Sequence, residues 1–269
     1  MDPENLYIVA VNYLAHAYLS FGNAEIAVGN LISDFVKGKK KFDYPPVIQQ
    51  GIALHRAIDS FTDSHPVTRQ ATAFFKADYG LYGGPLVDVI YDHFLANDPI
   101  RFPTAGNTSP VQTNDPAHPP TPGEPSPIIS PTAGDDSSPV YPAAASISPI
   151  FPTAERHSSP TLAAFAETTY QQISSLQAVF PERFARLFPY MRTQNWLYNY
   201  RYKQGIFNSF RGLHQRASYM PDPEKACRLF ETHYSGLNAC YTAFFPALHD
   251  FAAMTLRQLT GTPGSGKIE

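Results

Sequence analysis

Apolar residues recur along this chain three and four positions apart rather than two, the pattern of helices that pack one face inward. Asn12 to Ser20 reads as a short apolar helix carrying His16. Asn23 can cap a second helix, Ala24 to Val36, whose Ala27, Leu31, Asp34 and Phe35 share a face and which Gly38 ends. Pro45-Pro46 opens a long helix through Gly51-Ile52 and His55-Arg56-Ala57-Ile58-Asp59 to Asp63; His65-Pro66 breaks it and opens another to about Tyr79. Gly80 to Gly84 is predicted as a turn, and Pro85 to Asn97 as a helix carrying Asp88, Asp92 and His93. Helical spacing returns over Leu162 to Val179, Pro181 to Met191, Thr193 to Gly205 and Phe207 to Ser218. Pro223 to Leu259 predicts one or two closing helices with a break near Pro246. Nothing alternates as a strand and no repeat of roughly 20–50 residues shows, so the expected fold is all-α.

Proline changes this picture. Of 26 prolines, 15 fall between Pro99 and Pro160, among many Ser, Thr, Gly and Asn residues. Such a segment cannot bury enough apolar surface to offset its ordering entropy, so residues 101–158 are expected to form a disordered or extended insertion. It would split a single helical domain, 11–100 and 159–260, flanked by an N-terminal extension, 1–10, and a flexible tail, 261–269. A net charge of −3 argues against bulk nucleic-acid binding. Two cysteines, Cys227 and Cys240, make no disulfide framework, which points to a reducing compartment. Without a long apolar run or a charged segment leading into one, no membrane span and no secretion are expected. The expectation is a cytoplasmic protein, its oligomeric state open.

The candidate chemistry sits on helix faces. His55 and Asp59, four apart, continue the apolar stripe of Ile48 and Ile52. Polar groups on a core face are costly unless satisfied. Either a buried hydrogen bond or a metal ion held through imidazole nitrogen and carboxylate oxygen would satisfy them. Further candidates are His16, Asp34, Asp88, Asp92 and His93. Asp34 near a helix C-terminus opposes the helix dipole, a placement that points to function. His16 suits a ligand or a core position equally. Asp92 and His93 point about 100° apart, so both ligate only with adjustment; Asp88 equally suits orienting a ligating histidine. Asp63 and His65 read as helix-end residues, His214 and His233 as surface or packing residues. His249-Asp250 lies apart from the other motifs.

Mixed histidine and carboxylate donors suit Mn²⁺, Fe²⁺, Mg²⁺ or Zn²⁺, with Mg²⁺ alone the least natural beside two imidazoles. A bound ion lowers the pKa of coordinated water and neutralises charge on a phosphoryl oxygen, which phosphoester hydrolysis uses directly. Lys37, Lys39, Lys40 and Lys41 make a basic loop beside Asp34, either solvated or a local attractor for an acidic partner. Arg56, Arg201 and Arg216 could hold a phosphodiester or pair with carboxylates. Trp196, Tyr198 and Tyr200 read as core.

Four ordered motifs carry a family resemblance: Asn12-Tyr13-Leu14-Ala15-His16, Gly29 to Val36, Gly51 to Asp63, and Asp92-His93-Phe94-Leu95. They resemble the acyl carrier protein phosphodiesterases, relatives of the HD-domain metal phosphohydrolases. Trp196-Leu197-x-x-Tyr200, His233-Tyr234-x-x-Leu237 and Phe244-Phe245-Pro246 are also similar to that family, and the likeness spans about 11–100 and 160–255. It implies an HD-domain-like bundle that cleaves the 4′-phosphopantetheine arm from the serine of holo-acyl carrier protein, in fatty-acid metabolism, with a divalent cation, commonly manganese. Asp34 matches the family's essential aspartate; His16, His55, Asp59, Asp92 and His93 match its motif positions. On this resemblance Asp34, His55, Asp59 and Asp92 are catalytic and, with His16 or His93, hold one or two cations. Lys37 and Lys39 to Lys41 would then receive the acidic surface of the carrier protein. The family begins with Met where this chain has Val11, and it lacks the long insertion after Asp98. Two other readings stand beside this one: the same site acting on a nucleotide or other small phosphodiester, and a non-catalytic helical module whose Pro-rich segment recruits a partner.

Overall fold

A computed structural model describes residues 12–104, 159–216 and 220–261, the last side chain of the middle stretch excepted. No strand occurs among the described residues. Their helices are α1 Tyr13–Tyr18, α2 Ala24–Ile32, α3 Pro46–Ser64, α4 Pro66–Tyr79, α5 Gly83–Ala96, α6 Leu162–Ser174, α7 Glu182–Thr193, α8 Trp196–Asn199, α9 Lys203–Arg216, α10 Pro223–Thr232 and α11 Tyr234–Thr260. The residues on both sides of 106–158 belong to one compact unit.

Local chemistry sets most of these boundaries. The Asn23 side chain accepts from the amides of Glu25 and Ile26, both at 3.0 Å, and so starts α2. Pro46 and Pro66 occupy first-turn positions where a missing N–H costs nothing. Between them His65 is extended, and its Nδ1 accepts from Val67 N at 3.3 Å, so one residue both ends α3 and caps α4. Thr161 and Asp222 cap α6 and α10 in the same way.

Packing of α2 on α3 positions the site. The helices cross at Gly29 and Gly51, where a Cβ on either would collide with the backbone of the other helix. That approach, available only to glycine, brings the end of α2 against the middle of α3. On its other flank α3 meets α11, where Phe61 stacks on Phe251 at 4.3 Å and Gln50 Nε2 donates to the Leu259 carbonyl at 2.9 Å.

Several boundaries differ from the sequence pattern; α9, Lys203–Arg216, runs unbroken through Gly205 to Phe207, where the pattern divides two helices, and α6 ends at Ser174 rather than Val179. Helix α2 tightens into a 3₁₀ turn, Ser33–Phe35, so Asp34 lies on that turn rather than on the α-helix proper. The helix expected over Thr193 to Gly205 is broken at its start by Asn195, at φ 48°, leaving only the short α8 before a bend. Pro246 lies inside a continuous α11, and the break falls at His233 instead. There His233 stacks on Phe74 at 4.6 Å, and Gly236 passes so close that a Cβ would stand 2.9 Å from that ring. The docking contact, not the proline, decides where the helix starts. Pro246 gives up one hydrogen bond, and the buried Phe244, Phe245 and Leu248 around it hold the helix together.

Packing continues past Ile100. Phe102 is buried between Tyr18 (5.5 Å) and Phe165 (5.3 Å), so residues 101–104 belong to the folded unit. The remainder of the expected insertion, 105–158, lies outside the described residues, as do residues 1–10 and all of the expected tail but Gly261. No helix among the described residues is long and apolar enough to cross a membrane.

Candidate metal centre

Four of the expected residues meet where α1, the end of α2 and the middle of α3 converge. The His16 and His55 rings stack at 4.1 Å with 23° between their planes. Both turn Nε2 towards Asp59, His16 at 3.3 Å from Oδ1 and His55 at 3.0 Å from Oδ2. His55 Nε2 also lies 3.3 Å from Asp34 Oδ1. None of these approaches has hydrogen-bond alignment, and Nε2 of both rings is buried without a hydrogen-bond partner. His16, His55 and Asp59 each offer a donor atom, all within 4.8 Å of one another.

The tautomer of His16 is fixed from behind. Asn30, fully buried on α2, gives its amide N–H to the His16 carbonyl (2.9 Å) and to Ser20 Oγ (3.2 Å). A carbonyl only accepts, so the other end of the Asn30 amide, Oδ1, must face His16 Nδ1, 2.7 Å away. His16 therefore carries its proton on Nδ1, which leaves Nε2 unprotonated 3.3 Å from a carboxylate oxygen. Burial, and then the charge of His55, lower the His16 pKa and oppose a second proton there. Two acceptors this close, one of them buried, suit a cation between them, and the buried Asn30 amide supplies the outer support that metal-binding imidazoles use. The donor set thus fits a divalent ion.

Charge is arranged around His55. Burial alone would lower its pKa, but Asp34 and Asp59 outweigh that and push it up to about 9. The facing imidazole holds the Asp34 carboxyl below its usual range. Burial would raise Asp59, yet His16 and His55 together hold it low. The imidazoles close the back of the centre, His16 at 1% side-chain exposure, while Asp34 and Asp59 stand 48% and 44% exposed at its mouth. A ligand arriving from solvent meets the carboxylates first.

The two motif residues on α5 are engaged elsewhere. Asp92 is fully buried and accepts from Leu14 N (2.9 Å) and Ala15 N (2.8 Å), so its two oxygens satisfy the first turn of α1. Asn12, ahead of that turn, makes no side-chain cap. His93 bolts three segments together: its Nδ1 meets the Tyr200 carbonyl at 2.8 Å and its Nε2 the Tyr234 hydroxyl at 3.0 Å. Burial lowers its pKa and keeps it neutral. The acid of α5 whose charge meets the centre is Asp88, one turn before Asp92. Burial, then Asp59, Asp63 and Asp34, raise its carboxyl well above the usual range. A spacing of four places both aspartates on one stripe but does not say which end meets the ligands.

Of the expected substrate-binding residues, Lys37, Lys39 and Lys40 are exposed and Lys41 is half-buried. Arg56 Nη2 donates to the Val36 carbonyl at 3.1 Å, and Arg201 Nη1 to the Tyr198 hydroxyl at 2.7 Å. The side chain of Arg216 lies outside the described residues. Of the residues read as core, Tyr200 is buried and Trp196 and Tyr198 are half-buried against the core; Trp196 and Tyr200 also line a cavity of about 530 Å³ with Tyr202 and Asn208, which none of the four clustered residues lines.

The model of one family, described as acyl carrier protein phosphodiesterase, matches residues 11–112 and 151–248. The chain belongs to that family. It is 26% identical over 243 residues to the acyl carrier protein phosphodiesterase of Salmonella paratyphi A, covering 90% of this chain and 98% of that one. It is 42% identical over 86 residues to the protein of the same name from Yersinia pestis, covering 32% and 45%. No solved structure matches. By name these relatives are enzymes acting on an acyl carrier protein, and the clustered donors lie within the matched span.

Proposed function

We propose that the chain hydrolyses the phosphodiester joining 4′-phosphopantetheine to the serine of holo-acyl carrier protein, releasing apo-protein and the free arm, with a divalent cation at His16, His55, Asp59 and Asp34. The observation that supports this most is the unprotonated Nε2 of His16 lying 3.3 Å from Asp59, with Nε2 of the stacked His55 3.0 Å from the same carboxylate. Manganese is the proposed ion, with Fe²⁺, Zn²⁺ or Mg²⁺ as its competitors for mixed nitrogen and oxygen donors. When bound, such an ion lowers the pKa of water and offsets charge on the phosphoryl oxygens.

The residues contribute position and charge. His16 and His55 form a rigid back wall, fixed by Asn30 and by their own stacking. Asp34 and Asp59 line the mouth, where the substrate phosphorus would sit. Asp88 replaces Asp92 as the proposed acid of α5 beside the centre, where burial and the neighbouring carboxylates raise its pKa and a bound cation would counter that rise. The free thiols Cys227 and Cys240 suit the reducing cytoplasm, where we place the protein.

Elemental analysis paired with mass spectrometry of holo-carrier protein tests this reading. The purified chain should hold a divalent metal and convert holo-carrier protein to the apo mass. Asp34→Ala should remove turnover, by at least about a hundredfold, while helical circular dichroism is retained. Undiminished turnover in Asp34→Ala would remove the assignment.

A further inference from the structure

Between Asp34 and α3 the chain makes a 3₁₀ turn, Gly38–Asp43, with sequence Gly-Lys-Lys-Lys-Phe-Asp and no buried residue. Together with Lys37 it gathers four ammonium groups. Among the described residues no carboxylate lies within ion-pairing distance of any of them. Within this basic turn Phe42 stands 63% exposed, with Lys41 Nζ 4.9 Å from the centre of its ring. A large aromatic left mostly in water beside an excess of positive charge contributes little to the isolated chain. It is the composition of a contact surface, with an apolar anchor inside a charged rim.

The turn is also tied to the mouth of the centre. Lys37 is three residues from Asp34, so their α-carbons lie within about 11 Å. The connecting Val36 is buried, and its carbonyl is held by Arg56, the neighbour of His55 on α3. The chain as a whole carries −3, so this patch opposes the global charge and supplies a local field for an acidic partner.

We propose that Lys37 to Phe42 is the docking face for the protein substrate, an acidic carrier protein whose modified serine is thereby delivered to Asp34 and Asp59, with Phe42 as the apolar anchor. This rests on the function proposed above for the substrate's identity. The charge excess and the exposed ring stand without it. One aromatic side chain is too little apolar area to hold a lipid surface, which ordinarily needs a whole helix face or acyl chains.

The test is fluorescence anisotropy of labelled apo-carrier protein, which has no arm to cleave, titrated with the full chain. Lys39→Glu/Lys40→Glu should weaken binding at least tenfold, and Phe42→Ala several-fold. The control Arg69→Glu/Lys76→Glu changes net charge equally on exposed α4 positions and should bind as wild type. Wild-type affinity should fall as salt rises, and KM for holo-carrier protein should rise with each docking substitution. Unchanged binding in both docking variants overturns the proposal, as does wild-type binding to anionic phospholipid vesicles but not to apo-carrier protein. If the wild type binds apo-carrier protein through this face yet releases no arm from the holo form, the docking proposal stands and the hydrolytic reading fails.

Discussion

At the scale of single residues the centre is a contest between a proton and a metal ion for His55 Nε2. Without an ion, Asp34 and Asp59 push the His55 pKa to about 9, above the roughly 6.5 of an unfolded histidine. A raised folded-state pKa contributes stability that is complete below about pH 6.5 and lost as pH climbs through 9. Protein treated with a chelator should therefore melt at lower temperature as pH rises across that window. An ion must displace this proton, whereas His16, with its pKa lowered, and the two aspartates, held low, have little left to release. Apparent affinity for Mn²⁺ should then rise about tenfold per pH unit between 6.5 and 8, one proton per ion. Melting temperature should accordingly fall with pH in chelator and become nearly independent of pH above 7 at saturating Mn²⁺, where the folded and unfolded chains both carry His55 without its proton. Two curves that fall with the same slope would mean that His55 is not the ligand.

At the scale of elements the centre depends on α1, six residues long and too short to hold itself together. It is held from outside, by Asp92 at its first turn and Asn30 at its last. Asp92→Asn keeps one acceptor and turns an amide against a backbone N–H, which should cost about 2 kcal/mol and lower the melting temperature by about 6 °C. At temperatures where it remains folded the variant should keep its metal. Asp59→Asn should lose the metal. The opposite pairing, metal lost in Asp92→Asn at unaltered stability, would restore Asp92 to the ligand set. Much of this layer was legible in the sequence: the prolines and His65 bound α3 and α4, Asn23 starts α2, and the four-residue spacing of His55 and Asp59 puts both on the inward face. Other features depend on tertiary contact. Asn195 is of the residue type that most readily adopts a left-handed backbone, but the helical spacing on both sides masks it, and the docking of His233 and Gly236 on Phe74 overrides the local signal of Pro246. Asp88 and Asp92 share one stripe, and only the position of α1 along α5 decides which of them it uses.

At the scale of the whole molecule the division of labour follows the chain. Every clustered donor comes from α1 to α3, with Asp88 beside them on α5, while the helices after residue 159 act as walls: Phe184 on α7 packs on Phe35 at 5.6 Å, beside Asp34, and α11 lies along α3. The two halves meet where Phe102 and Phe165 touch at 5.3 Å, near the points at which the described chain leaves and re-enters the unit. Residues 105–158 join those two points in sequence and so close a loop on this unit. A ten-residue Gly/Ser linker in their place reaches as far as about 33 Å and shortens that loop roughly fivefold, which favours the folded state by about 1.5 kcal/mol. The shortened chain should melt no lower than the full one and bind one complement of metal with the same affinity. It should also release the arm from holo-carrier protein at a rate within about threefold, since the donors and the proposed docking turn all lie before residue 105. Calorimetry, elemental analysis and the mass-shift assay on the two proteins decide the matter. A shortened chain that folds and holds metal but loses turnover on the carrier protein would give the segment a direct part in recognising the substrate, and would take that part from the turn beside Asp34.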